Sequence, residues 1–222
     1  MTLLCSSSTQ AAPATLSGTA VTTDGFIYSF NFLATNTMDQ LAVYYPTTLA
    51  AGVNPSGLHN IRSLMKFDLT GVSFNPATEK ATITVTNTAS PFGDNPSAAY
   101  PVTVGAYGIT SAWSTSTTTW LSQPTIAATH ADAQVFSSPS GTTTFDISGL
   151  MDGWVNGSVA NNGVMFISES GPVVSQAGTV FPSFLASRAA SGQPVLAIVA
   201  LPEPATMAGL AIAGLALLRR TR

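Results

Sequence analysis

Residues 81–86 read Ala-Thr-Ile-Thr-Val-Thr, a strict alternation of aliphatic and hydroxyl side chains. Because successive side chains of a β-strand point to opposite faces, this segment predicts a strand with one buried and one solvated face. Residues 25–32, Gly-Phe-Ile-Tyr-Ser-Phe-Asn-Phe, would place four aromatic rings on one face of a second strand. Residues 61–69, Ile-Arg-Ser-Leu-Met-Lys-Phe-Asp-Leu, predict a third.

Further strand candidates continue along the chain, separated by Gly, Pro, Asn and Ser. They are residues 41–45, 102–109, 142–147, 164–169 and 195–200. One helical patch interrupts them: apolar residues recur at i, i+3, i+4 and i+7 from Ile147 to Trp154, and Asn156-Gly157 ends the run. Many strands with one short helix predict an all-β fold over residues 20–200. We expect an antiparallel β-sandwich of the jelly-roll type, with Trp154 in its core.

Charge and cysteine content narrow the class of protein. Charged residues make up only 8% of the chain, against ~25% in an average soluble domain. Residues 1–201 hold four basic and nine acidic side chains, a formal charge of −5. Such a surface predicts no nucleic-acid partner and disfavours a densely anionic polymer. A single cysteine, Cys5, excludes an internal disulfide and a cysteine-built zinc site.

The final segment, residues 201–222, has three parts in a fixed order. They are Pro202, Glu203 and Pro204, then an uncharged run from 205 to 218, then Arg219, Arg220 and Arg222. The prolines end any preceding strand or helix. Arginines resist crossing a bilayer, so they are expected to stay in the cytoplasm and leave the upstream residues outside. As a helix the 14-residue run would be ~21 Å long, short for a hydrocarbon core of ~30 Å.

These three parts resemble the PEP-CTERM sorting signal of Gram-negative bacteria, with its short transmembrane helix. The resemblance implies recognition by an exosortase-type membrane peptidase and removal of the tail. It also implies transient residence at the inner membrane, then release to the cell surface or the exopolysaccharide matrix. A simple membrane anchor and a buried C-terminal hydrophobic helix are the alternatives.

The N-terminal residues 1–14 show part of a secretory signal. Leu3 and Leu4 would end an apolar core, and Ala12 and Ala14 form an Ala-x-Ala end, whereas a positively charged start is missing. We expect a truncated signal peptide here, because an exported domain needs one. An N-terminus without such a role is the alternative.

Several motifs in residues 20–200 occur together in order. They are Arg62-Ser63-Leu64-Met65-Lys66-Phe67-Asp68-Leu69, Trp113 and Trp120 before Gln123-Pro124, Phe145-Asp146-Ile147, Trp154, Asn156-Gly157, Asn162-Gly163-Val164, Phe184-Leu185-Ala186-Ser187-Arg188 and Pro194-Val195-Leu196. The set resembles a DNRLRE domain, a family that overlaps carbohydrate-binding module 96. The resemblance implies a jelly-roll sandwich, secretion and, in some relatives, binding of acidic polysaccharides beside polysaccharide-degrading enzymes. This chain departs from it in having few basic residues and no catalytic domain.

Five side chains are candidates for binding a ligand. They are Arg62, Lys66, Trp113, Trp120 and Arg188. The basic groups could donate hydrogen bonds to sugar hydroxyls or to a carboxylate, and an exposed indole offers a flat face to a sugar ring. Alternatively the basic groups form ion pairs with acids such as Asp68, their stems packed on the sheet, and the indoles fill the end of the sandwich. Tyr107 is one of four tyrosines that could extend a sugar platform.

Nothing in the sequence predicts catalysis. His59 and His130 are the only histidines, and neither lies in a metal-ligand or nucleophile motif. Asp24, Asp39 and Asp94, which lie near expected turns, are candidates to ligate calcium, with turn capping as the alternative. The sequence therefore predicts an exported, non-enzymatic protein that binds extracellular polysaccharide. The alternatives are a structural matrix or adhesion protein without a defined ligand and, third, a glycan-active enzyme.

Overall fold

The computed structural model describes residues 14–17, 21–28, 40–42, 61–90, 94–119, 122–170, 173, 175, 180–186 and 189–201. These residues form two antiparallel β-sheets and one short helix. The all-β class and the single helix are thereby confirmed. The predicted C-terminal hydrophobic helix, the possible signal remnant before residue 14 and the Pro-Glu-Pro segment lie outside the described residues.

Eleven strands and one helix are described, and most begin within two residues of the predicted segments. The strands are β1 Ala14–Ser17, β2 Val21–Tyr28, β3 Gln40–Ala42, β4 Ile61–Phe67, β5 Glu79–Thr88, β6 Val102–Gly108, β7 Asp132–Phe136, β8 Thr142–Asp146, β9 Val164–Ser168, β10 Ser183–Leu185 and β11 Val195–Ala200. Helix α1, Ser148–Val155, follows β8. Among the described residues no helix has the length and hydrophobicity needed to span a bilayer.

The six-stranded sheet is organised around β5. Its order is β1-β11-β5-β10-β3, and β8 pairs with the remaining edge of β5. The alternation in residues 81–86 has the predicted result: Ala81, Ile83 and Val85 are fully buried, while the intervening threonines are half-buried on the outer face. The other sheet has five strands in the order β2-β4-β9-β6-β7, all antiparallel.

Aromatic packing joins the two sheets. Phe136 and Phe166 come from the five-stranded sheet, and Phe145 and Phe184 come from the six-stranded sheet. All four are buried, and their ring centroids lie 5.1 to 6.4 Å apart in successive contacts between the sheets. Each such ring removes ~150–250 Å² from water, so this cluster is a main source of cohesion between the sheets. Two facing sheets with a common core constitute a β-sandwich.

Helix α1 closes one side of this core. Met151 and Trp154 are buried, as the apolar periodicity predicts, and the Trp154 side chain belongs to the main core cluster. The Asp146 carboxylate accepts hydrogen bonds from the amide and the hydroxyl of Ser148 at the first turn. At the other end Gly157 adopts a φ of 75°, which favours glycine and turns the chain out of the helix.

Candidate functional site

The outer face of the five-stranded sheet carries most of the polar and aromatic side chains that could meet a ligand. In β4, Ile61, Met65 and Phe67 point into the core. The alternate residues Arg62 and Lys66 are half-buried on the opposite side. Side chains from β9 and β6 continue this outer face, because strand pairing brings these three strands together.

A loop covers one part of this face. Residues 110–125, called the covering loop below, leave and rejoin the sheet at an antiparallel bridge between Ile109 and Ile126. Beneath the loop lies a second, smaller apolar cluster of Leu64, Ile109 and Met165. Trp113 packs against this cluster.

Trp113 is fixed in place by a hydrogen bond as well as by packing. Its indole N–H donates to the backbone carbonyl of Asn162 at 2.7 Å, and the side chain is half-buried. An indole that spends its one donor on the backbone and its ring on an apolar cluster holds the covering loop against the sheet. The geometry therefore gives Trp113 a packing role. Its predicted role in ligand binding stays a prediction.

Arg62 also connects the sheet to the covering loop. Its Nη1 donates to Oε1 of Gln123 at 2.6 Å. A charged donor makes this a strong type of hydrogen bond. The guanidinium is thus held at the edge of the loop, on the same face as Lys66.

Beyond the loop, three side chains form what we call the polar cluster: Tyr107, His130 and Glu169. The Tyr107 hydroxyl donates to Oε1 of Glu169 at 2.8 Å, and Nδ1 of His130 lies 2.8 Å from the same oxygen. The two rings meet edge to face, with centroids 5.9 Å apart and an interplanar angle of 81°. One carboxylate oxygen therefore orients both rings.

The electrostatic environment keeps Tyr107 protonated at ordinary pH. Partial burial raises the pKa of Tyr107, and the hydrogen bond to Glu169 and its negative charge raise it further, to about 12. The positive charge of Arg62 acts in the opposite direction, which shows that Arg62 is electrostatically coupled to the cluster. Tyr107 is consequently a neutral hydrogen-bond donor.

Gly105 makes room for this arrangement. A β-carbon on residue 105 would collide with the Glu169 carboxylate and would lie 2.8 Å from Cε2 of Tyr107. In the sheet, Gly105 is paired with Ile167 of β9 on one side and with Ala133 of β7 on the other. The absent side chain lets the carboxylate and the phenol ring lie flat over the strand.

The polar cluster is open to solvent. The His130 side chain is 44% exposed and that of Glu169 is 25% exposed. Val135, on the neighbouring edge strand, is 58% exposed and adds an apolar contact area. An open surface with two rings, a carboxylate acceptor and a nearby guanidinium can bind a molecule that presents both C–H faces and hydroxyl groups.

The predicted site residues have different fates. Arg62 and Lys66 lie on the face that carries the polar cluster, and Trp113 lies under the covering loop. Trp120 and Arg188 lie outside the described residues, so their role stays a prediction. The sequence interpretation did not identify His130 or Glu169 as site residues. They are 39 positions apart in the chain, and no sequence motif joins them.

The calcium candidates do not converge. Asp24 lies inside β2 rather than at a turn and is 3% exposed. Asp94 bridges to Val180 and accepts a hydrogen bond from the Ser175 hydroxyl. Asp39 is not among the described residues. Within the described part of the chain, no three His, Cys, Asp or Glu side chains are close enough to hold a metal ion.

Comparison with known proteins identifies one family. The model of carbohydrate-binding module family 96 matches residues 28–177, more than half of the chain. The matched range includes β4 to β9 and therefore the whole polar cluster, Arg62 and the covering loop. No curated protein matches the chain.

Proposed function

The chain belongs to carbohydrate-binding module family 96, and from this premise we propose that it binds a polysaccharide through the outer face of its five-stranded sheet. The observation that carries this proposal is the polar cluster, in which one Glu169 oxygen orients the rings of Tyr107 and His130 on an open surface. Ring faces and edges meet the C–H surface of a sugar, and the carboxylate accepts hydrogen bonds from its hydroxyls.

Binding without turnover fits both the family and the site. The family is a binding module, and the polar cluster contains a single carboxylate, whereas most glycoside hydrolases act through a pair. Arg62 lies to one side as a cationic donor held by Gln123. The rings provide the contact area, and Glu169 and Arg62 set the orientation of the sugar.

We further propose that the β-domain works outside the cell. The support is the order of Pro202-Glu203-Pro204, the uncharged run and the three terminal arginines. In this proposal an exosortase-type peptidase of a Gram-negative inner membrane removes the tail. The β-domain then stays at the cell surface or in the exopolysaccharide matrix, where it contacts its ligand.

Affinity electrophoresis tests the binding proposal. The full-length chain, in mild detergent, is run through gels that contain a panel of soluble polysaccharides. The variants His130→Ala and Tyr107→Leu remove one ring each, and Leu keeps apolar bulk at the half-buried position 107. We expect at least a tenfold loss of affinity for the retarding polysaccharide, with thermal unfolding nearly unchanged.

The matched control is Thr142→Ala, on the outer face of the six-stranded sheet, which should leave binding intact. Equal retardation of all four proteins would place the ligand elsewhere. If no polysaccharide retards the wild-type chain, the binding proposal fails and a structural matrix protein without a ligand becomes the better interpretation.

Sorting is tested separately in a Gram-negative host that has an exosortase. A chain with alanine at positions 202 to 204 should accumulate uncleaved in the inner membrane, whereas the wild-type chain should reach the surface without its tail. Mass spectrometry of the mature C-terminus gives the readout. Intact wild-type chain in the cytosol would refute the proposed export.

A further inference from the structure

The polar cluster is built around a negative charge. Both ring donors contact Oε1 of Glu169, so Oε2 is the oxygen that faces a ligand. The side chain is only 25% exposed, and partial burial strengthens its field, because charges near a protein surface interact at an effective dielectric constant of ~20 rather than ~80. Any group that binds between the two rings meets this carboxylate.

The other charges on the face do not reverse this field. The Arg62 guanidinium lies on β4, with β9 between it and β6, and it is already bonded to Gln123. It therefore supplies one cation beside one anion. Residues 1–201 carry a formal charge of −5, so the long-range field is also negative.

We infer that the ligand of the polar cluster is an uncharged glycan and that Glu169 is the residue that excludes anionic ones. This inference rests on the proposed function. Hydroxyl groups both donate and accept hydrogen bonds, so a neutral sugar satisfies a carboxylate on one side and a guanidinium on the other. A polyuronate carries a carboxylate on every unit and always brings one close to Glu169. The whole site is smaller than the screening length of ~10 Å at 0.1 M salt, so the repulsion persists.

The test compares polysaccharides that share a backbone and differ in charge. Fully methyl-esterified and de-esterified galacturonan form one such pair, and hydroxyethyl cellulose and carboxymethyl cellulose form another. Neutral mannan, xylan and galactan and the polyuronate alginate complete the panel. The wild-type chain should bind at least one neutral polymer and bind every anionic polymer at least tenfold more weakly.

Glu169→Gln keeps the shape and the hydrogen-bond acceptor of residue 169 and removes the charge. We expect it to raise binding of anionic polymers about tenfold and to change binding of the neutral ligand less than threefold. Glu79→Gln, which removes one acid in the other sheet, is the control for net charge and should change neither.

Salt dependence gives an independent readout. If Glu169 repels the polymer, residual wild-type binding to polyuronates should rise between 0.05 and 0.5 M salt, since salt screens repulsion. Binding driven by basic side chains would instead fall with salt.

The outcomes separate the two proposals. Tight, salt-sensitive binding of polyuronates that is lost in His130→Ala would leave the proposed function standing and overturn the inference. An unchanged preference in Glu169→Gln would also overturn it. If the panel shows no binding for any variant, the proposed function itself is wrong, and the inference falls with it.

Discussion

The carboxylate of Glu169 lies over the Cα atom of Gly105, in the space that a β-carbon on residue 105 would occupy. Gly105→Ala should therefore push the carboxylate and the Tyr107 ring away from the strand. Both are ends of flexible side chains, so stability should change by less than ~1 kcal/mol, and alanine partly compensates because it costs less conformational entropy. We expect at least a tenfold loss of polysaccharide affinity, measured by affinity electrophoresis, with near-normal urea unfolding.

The control for this change is Gly149→Ala in α1. A β-carbon there meets nothing within 4 Å, so this variant should gain ~0.5–1 kcal/mol of stability and bind normally. Normal binding by Gly105→Ala would show that the position of Glu169 over the strand has no part in recognition.

Trp113 provides a test between packing and ligand binding. Trp113→Phe keeps most of the ring on the apolar cluster and removes the indole donor to Asn162. The lost hydrogen bond should reduce the free energy of unfolding by ~1 kcal/mol. Trp113→Ala should cost ~2–3 kcal/mol, below the ~3–5 kcal/mol typical of a fully buried ring.

Urea unfolding and affinity electrophoresis are measured together on both variants. Affinity for the polysaccharide should stay within about twofold for Trp113→Phe, because the indole does not reach the polar cluster. A large loss of affinity at unchanged stability would instead make Trp113 a ligand-stacking residue.

Gly163 is a position where the backbone leaves no choice of residue. Its φ is 83°, and a β-carbon would collide with the Met65 carbonyl oxygen and lie 2.9 Å from the Cα atom of Lys66. Because these are backbone atoms, they cannot move aside as a flexible side chain can. Gly163→Ala should cost ~2 kcal/mol or more. Gly71→Ala has a similar φ of 75° in open space, and its smaller loss isolates the backbone strain from the collision.

Much of the fold follows from local patterns, but three strands do not. The alternation in residues 81–86 predicts β5 and its buried face, and the apolar stripe predicts α1 and the burial of Trp154. In contrast, β7 is an edge strand whose Val135 is exposed, so it lacks a clear apolar alternation. β1 and β10 have four and three residues, too few for a periodicity to appear.

The site is predictable only in part, for a topological reason. The alternation along β4 identifies the outer position of Arg62. Tyr107 and Glu169 lie 62 positions apart in the chain and meet because β6 pairs with β9. His130 joins them from the residues before β7. No spacing in the sequence records these contacts, since they arise from strand order rather than from local structure.

Asp146 links the sheet to helix α1 and sets a limit on acid stability. Partial burial alone would raise the pKa of Asp146, but hydrogen bonds from Ser148 and the interaction with Lys80, 3.1 Å away, hold it below 3.8. A lowered pKa stabilises the fold above the unfolded value and stops doing so as the pH falls through the folded value. Asp146→Asn should therefore be less stable than wild type by ~0.2–1 kcal/mol at neutral pH.

The difference in stability between wild type and Asp146→Asn should narrow below pH 4 and vanish at lower pH. Urea unfolding at pH 7, 4 and 3 measures it. A difference that stays constant with pH would mean that the carboxylate charge is not responsible.

Tyr107 sets the corresponding limit at alkaline pH. Burial and the neighbouring Glu169 raise its pKa to about 12 from the usual 10. The folded state thus holds the phenol proton more tightly than the unfolded chain does. This contribution is complete below pH 10 and is lost as the pH rises towards 12. Tyr107→Phe should be ~1 kcal/mol less stable than wild type at pH 8, because it lacks the hydrogen bond to Glu169. The gap should shrink above pH 10. Ultraviolet titration of both folded proteins isolates the Tyr107 signal by difference. A Tyr107 titration centred near pH 10 would show that the phenol is not held by Glu169 in solution.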